Sequence, residues 1–300
     1  MPDGPTEAIS RRSAYLALVG AMIAIGFSPI FVRLSGVPGS TSAFYRMAFA
    51  QLVFLPAALS MRGRGAPPTR AARTAAVWTG VLFGADLAFF NSAIMRTTAA
   101  NATLLGGNAP MFVALGTWAL FGDRPRSRFW GGFALSFAGI VLIAGTDFLR
   151  HPLLGVGDAL ATAGAVCYAA YLIALRQSRL GMDALTLMTV SGLFATATLL
   201  VICLVLGTPL GGFSAHTWES LIGLALVSQV IGQMGVAYAM GRVPAPAASI
   251  ILLAQAPVAA ILAVPFLGEH VTLVQLAGGA LVLVGIYVVN ATSSRSRATG

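Results

Sequence analysis

Asp86 is the one acid in the apolar stretch Ala75 to Met95. A carboxylate in hydrocarbon costs about 3 kcal/mol on insertion scales, so an acid at that depth marks a functional site by default. Two readings stand: a contact for a solute or a proton, and a protonated or paired structural acid. Phe83 and Phe90 lie three residues before it and four after, on the same helical face. Amides occupy other apolar stretches. Gln229 and Gln233 are four apart, Asn101 and Asn108 seven apart, and Gln255 stands in a further stretch. One amide in lipid reads as glue between helices, worth about 0.6 kcal/mol. A set converging from several helices reads as the polar lining of a cavity.

Aromatic residues offer that cavity an apolar wall. The candidates are Phe83, Phe90, Tyr168, Tyr171, and Phe27, which stands two residues before Pro29. Plain packing is the alternative for each. Arg46 lies about one turn inside its stretch. It either snorkels to the outer surface or holds a solute carboxylate.

These residues need membrane helices to position them. The chain of 300 residues is 57% hydrophobic and 9% charged, where a soluble domain is about 25% charged. Ten stretches are long enough to span a bilayer: 14–32, 42–60, 75–95, 98–120, 129–147, 157–175, 185–206, 218–240, 244–267 and 273–290. The net charge of +9 comes from 18 arginines without a lysine. Nucleic acid binding is not expected, because the arginines lie in short loops between the apolar stretches. With ten spans both termini share one side, which receives 14 arginines against 4 on the other. The positive-inside rule then puts both termini in the cytoplasm. Cys167 and Cys203 fall inside apolar stretches with no metal-ligand spacing. His151, His216 and His270 read as outer-loop residues. No metal or cofactor is expected, and no phosphate-binding GxxxxGK[ST] loop is present.

The chain also repeats itself. Asn108-Ala109-Pro110 matches Gln255-Ala256-Pro257 at an offset of 147, and Asp86 then matches Gln233. Gly122-Asp123 matches Gly268-Glu269, and Gly132 and Gly139 match Gly278 and Gly285, at an offset of 146. Five spans per half reverse the polarity of the second half, as in secondary transporters whose sites lie between inverted repeats. The expected layout is a cytoplasmic tail at 1–13, a five-helix repeat at 14–147, and an outer linker at 148–156. A second repeat at 157–290 and a cytoplasmic tail at 291–300 complete it. The fold class is thus an all-α polytopic membrane protein with ten transmembrane helices in two inverted repeats.

The segment Ala93 to Ala102 with Pro110, Gly122-Asp123 and the glycine-rich span to Gly145 resembles the EamA domain. Tyr238 through Pro257, with Gly268-Glu269 and Gly285, resembles a second copy, and Phe44-Tyr45-Arg46 is similar to that domain's second helix. Over residues 14–290 the chain resembles the drug/metabolite transporter superfamily of EamA type, and in layout the YddG-type amino acid exporters. The resemblance implies a bacterial inner-membrane carrier of small metabolites, often an exporter of amino acids. Asp123 stands where the motif usually has Glu, and Phe27 where relatives have Trp. The expected partners are a small-molecule substrate and the lipid bilayer, with the protein monomeric. An efflux carrier for drugs or other metabolites is the alternative. An intramembrane enzyme or a channel is the alternative from another class, and an enzyme would need clustered acids, a nucleophile pair or metal ligands at depth.

Overall fold

Proline placement explains where the helices break. A proline inside a helix lacks the N–H for its i−4 carbonyl, and its ring crowds that oxygen. The computed structural model describes residues 5–61, 67–94, 96, 105–144, 155–267 and 273–290. The first stretch is two helices, α1 (Pro5–Gly26) and α2 (Ser28–Ser35), interrupted just before Pro29. Next come α3 (Gly39–Ser60) and α4 (Arg70–Ile94). Helix α5 (Ala109–Phe121) opens with Pro110, and α6 (Ser127–Ala144) follows.

The second half runs α7 (Val156–Arg179), α8 (Ala184–Leu206) and α9 (Ala215–Gly223). Helix α9 continues as a π-helix over Leu224–Gln233 and then as α10 (Met234–Met240). The last elements are α11 (Ala245–Leu252), α12 (Gln255–Leu267), which has Pro257 in its first turn, and α13 (Leu273–Asn290). No strand occurs among the described residues. Six helical stretches, Arg12–Ser35, Gly39–Ser60, Val156–Arg179, Ala184–Leu206, Ala215–Met240 and Ala245–Phe266, are long and apolar enough to cross a membrane. Ala109–Phe121, Ser127–Leu142 and Leu276–Val289 are shorter apolar helices. Helix α4 has 25 residues, with Asp86 and Asn91 lowering its apolarity.

Two expected segments gain local detail. The tail expected at 1–13 is helical from Pro5, because proline suits a first helical position and the polar residues after it prolong α1. The span expected at 244–267 is two helices with a turn at Leu253-Ala254, where the backbone tightens to i→i+3 bonds before Pro257.

Helix pairing carries the repeat into three dimensions. Helix α4 packs along α7, and its counterpart, the π-helix with α10, packs along α1. Helix α5 packs on α7, and α11 and α12 pack on α1. Two pairs join equivalent helices, α3 with α8 and α6 with α13. In the α6–α13 pair, a Cβ on Gly132 would strike the Gly285 carbonyl, and one on Gly139 would strike the Gly278 carbonyl. Gly132 is equivalent to Gly278 and Gly139 to Gly285, so the contact is reciprocal, as at a two-fold axis. Between them the Ser136 hydroxyl donates to the carbonyl of its own equivalent, Val282, at 3.2 Å.

Candidate functional site

The break between α1 and α2 begins the site. Pro29 has no N–H to give the Ile25 carbonyl. The Ser228 hydroxyl, from the π-helix, donates to the Ala24 carbonyl at 3.1 Å. Gly232 lets the π-helix lie against Ile25 and Ala21, where a Cβ would be 2.7 Å from Ile25 Cγ1. Widened helices of this kind are rare and recur at functional sites. This one carries Gln229 and Gln233, both buried, into the middle of the bundle.

Arg46 meets them from α3. The side chain is 6% exposed and turns inward, which excludes snorkelling to the surface. Its Nε donates to Gln229 Oε1 at 2.8 Å, and Nη1 to the Ser28 hydroxyl at 3.2 Å. The guanidinium lies over the Phe83 ring, 5.7 Å from its centroid. Helix α3 starts at Gly39, so Arg46 is two turns deep rather than the one turn expected. Phe83 stacks on Tyr171 at 4.6 Å, and Tyr171 on Tyr168 at 5.6 Å. The Tyr171 hydroxyl donates to Gln233 Oε1 at 2.8 Å. One connected group thus joins α2, α3, α4, α7 and the π-helix.

Asp86 projects from α4 one turn beyond Phe83, beside Gly164 of α7. It lies within electrostatic range of Arg46, Tyr168 and Cys167. Among the described residues its carboxylate has no hydrogen-bond or ion-pair partner, and neither does Arg46 Nη2. The one described polar side-chain atom that is both sealed and unpartnered is Gln51 Oε1. Asp86 is half-buried rather than sealed, whereas Arg46 is buried. Gly164 lies directly against the acid, where a Cβ would be in ordinary contact with Asp86 Oδ1 at 3.6 Å.

Other residues expected at the site fall elsewhere. Phe27 packs on Phe31 at 6.2 Å and edge-on to Phe266 at 5.6 Å, so at the helix break it is Ser28 that reaches Arg46. Phe90 packs with Leu105, Ala93 and Ala161. Asn108 and Gln255 stand at the openings of α5 and α12, at equivalent breaks of the two halves. Asn101 lies outside the described residues. Ser28, Ser228 and Cys167 belong to the group or its border but were not singled out as site residues. Only the serine before Pro29 carried a signal, since a hydroxyl beside a helix break has a freed backbone to serve.

The helices that carry the group are also tied to backbone oxygens of neighbouring segments. On one side Tyr45 donates to the Leu210 carbonyl at 2.5 Å, and Thr41 to that of Pro209 at 3.0 Å. On the other, Arg176 donates to the Met240 carbonyl at 2.5 Å and Arg179 to that of Ala237 at 2.7 Å. A shallow apolar groove lined by Trp130, Phe133 and Phe137 runs along the exposed face of α6, away from these polar groups.

The sequence profile of the EamA-like transporter family matches residues 12–145 and 155–291. Two uncharacterized transporters of Archaeoglobus fulgidus are similar along nearly their whole length. One is 26% identical over 277 residues, 92% of this chain and 96% of the relative. The other is 27% identical over 293 residues, 94% of this chain and 98% of the relative. A protein crystal structure at 22% identity superposes with a TM-score of 0.76, covering 95% of this chain and 98% of that one, and shares the fold.

Proposed function

The chain belongs to the EamA-like transporter family, and from that premise we propose that it carries small metabolites across the bacterial inner membrane. We infer that neutral amino acids, aromatic ones included, are the main substrates and that export is the working direction. Ten helical spans in two inverted five-helix repeats, with both termini cytoplasmic, rock about the central group to give alternating access. The solute site comprises Phe83, Asp86, Tyr168, Tyr171, Gln229 and Gln233, with Arg46 added. Asn108, Gln255, Phe90 and Phe27 lie along its approaches.

The observation that carries this reading is a half-buried Asp86 carboxylate, unpartnered among the described residues, within electrostatic range of a buried, anchored arginine. Lipid-facing glue would have paired such an acid, whereas a solute site leaves it free. The stacked Phe83, Tyr171 and Tyr168 rings supply an apolar wall that accepts varied side chains. Efflux of cationic drugs is the second reading, favoured by the same acid next to an aromatic wall.

Counterflow of labelled neutral amino acids in proteoliposomes, with sugar phosphates and a cationic dye as competitors, separates these readings. Saturable amino acid exchange supports the proposal. Exchange of sugar phosphates without amino acids overturns it, and dye exchange without amino acids selects the second reading.

A further inference from the structure

We propose that Arg46 and Asp86 are the two poles of a zwitterion site, Arg46 Nη2 receiving a carboxylate and Asp86 an ammonium. The proposal rests on reading the central group as the substrate site and assigns which residue reads which end of the solute.

Opposite charges in a bundle interior attract strongly, yet these two form no ion pair. The reason is anchoring. Gln229 and Ser28 hold the Arg46 guanidinium by Nε and Nη1 over the Phe83 ring, leaving Nη2 without a hydrogen-bond partner among the described residues. Asp86 is fixed on α4 one turn past Phe83, against Gly164, with the Tyr168 ring near it. The two charges are therefore held apart, within electrostatic range of each other but not bonded, with the Asp86 carboxylate half-buried and unpartnered among the described residues. A solute with a carboxylate and an ammonium a few bonds apart satisfies both charges at once. A free amine leaves the buried Arg46 unmatched, and a free acid leaves Asp86 unmatched. Unmatched buried charges are disfavoured far more than matched ones are favoured. A phosphorylated solute brings excess negative charge against Asp86.

The test uses counterflow of labelled phenylalanine in proteoliposomes, with phenylalanine, phenethylamine and 3-phenylpropionate as competitors. The wild type is expected to prefer phenylalanine over each half-analogue by about tenfold or more. Asp86→Asn should weaken phenylalanine and close its gap to 3-phenylpropionate, leaving the amine excluded. Arg46→Gln should close the gap to phenethylamine instead. Arg46→Lys keeps the charge but loses the planar fork, so it should weaken binding while still excluding the amine. If Arg46→Gln fails to fold, Asp86→Asn decides alone, because a structural acid would lower all three competitors equally. Phenylalanine exchange in which Asp86→Asn keeps the wild-type order of competitors overturns the assignment of poles and leaves the substrate reading standing. A wild type that exchanges no neutral amino acid overturns both.

Discussion

Replacing Gly285 by alanine tests the seam between α6 and α13. A methyl there falls 2.7 Å from the Ser136 nitrogen, with the Gly132 carbonyl oxygen and the Ser136 hydroxyl nearer still. Optimal carbon contacts lie at about 3.5–4.0 Å. Two of the three obstructing atoms are backbone and cannot rotate aside, so the helices must part by roughly 0.5–1 Å. A gap of that size forfeits about a quarter to a half of each dispersion contact along the seam. Overpacking of this kind costs about 1–3 kcal/mol, and alanine's better helix propensity offsets up to about 1 kcal/mol. The expected net loss is about 1–2 kcal/mol, or roughly 2–8 °C in Tm at about 2–4 °C per kcal/mol. Gly131 is the control, because nothing lies within 4 Å of a Cβ there. Gly131→Ala should melt at or slightly above the wild type. By the two-fold relation Gly139→Ala, whose methyl meets the Gly278 carbonyl and lies 2.8 Å from Val282 Cγ2, should behave like Gly285→Ala. Melting is followed by fluorescence-detected size exclusion after heating in detergent. If Gly285→Ala and Gly131→Ala melt together, close approach at this seam is refuted.

Further outcomes follow from other contacts. Cys167 shares a face of α7 with Gly164, Tyr168 and Tyr171, whereas Cys203 is 0% exposed. A small thiol reagent should label Cys167 alone, and substrate should slow it; labelling of Cys203 in a Cys167→Ser variant would contradict the packing. Gln229→Leu removes the acceptor of Arg46 Nε and should lower stability by about 2 kcal/mol, while an unchanged Tm would make that bond unimportant. Asp183 caps α8, its Oδ1 accepting from the Thr186 nitrogen at 2.9 Å. Burial raises its pKa, but hydrogen bonds from Thr186 win and hold it below the ordinary carboxylate value. The cap's contribution is therefore present above that ordinary value and fades as pH falls through the lowered one. Asp183→Ala should cost about 1 kcal/mol at pH 7 and little in strong acid, read by detergent melts at both pH values. A reporter active only outside the cytoplasm, fused to the C-terminus, should stay silent; high activity there would reverse the orientation read from the arginines.

Much of this architecture is legible in particular residues. The matched prolines, Pro110 and Pro257, mark equivalent helix openings because proline's effect on a helix is local. The matched glycines foretell a repeat, but their reciprocal contact needs the folded pair. Asp86 and Gln233 stand out because polar groups are costly in lipid wherever they sit. The π-helix over Leu224–Gln233 left no signature, since its composition is that of any apolar helix and the widening is settled by packing on α1. Arg46 reads ambiguously because a stretch boundary drawn from hydropathy fell three residues inside the true start of α3. Phe27 drew attention through its aromatic ring, yet at that break the adjacent serine reaches the arginine.

The reciprocal seam has a consequence for the solute site proposed at the centre. An assembly with strict two-fold symmetry presents every group twice, so it offers a solute two equal and opposite ways to lie. Here the symmetry is kept in the glycines, where only shape matters, and abandoned in the side chains at the middle. Asp86 has Gln233 as its counterpart in the repeat, and α8, the counterpart of α3, contains no charged residue to mirror Arg46. Fusing both halves into one chain is what permits this, because each copy then mutates independently. The result is a handed interior inside a near-symmetric frame, which is what the proposed reading of a solute's two ends requires.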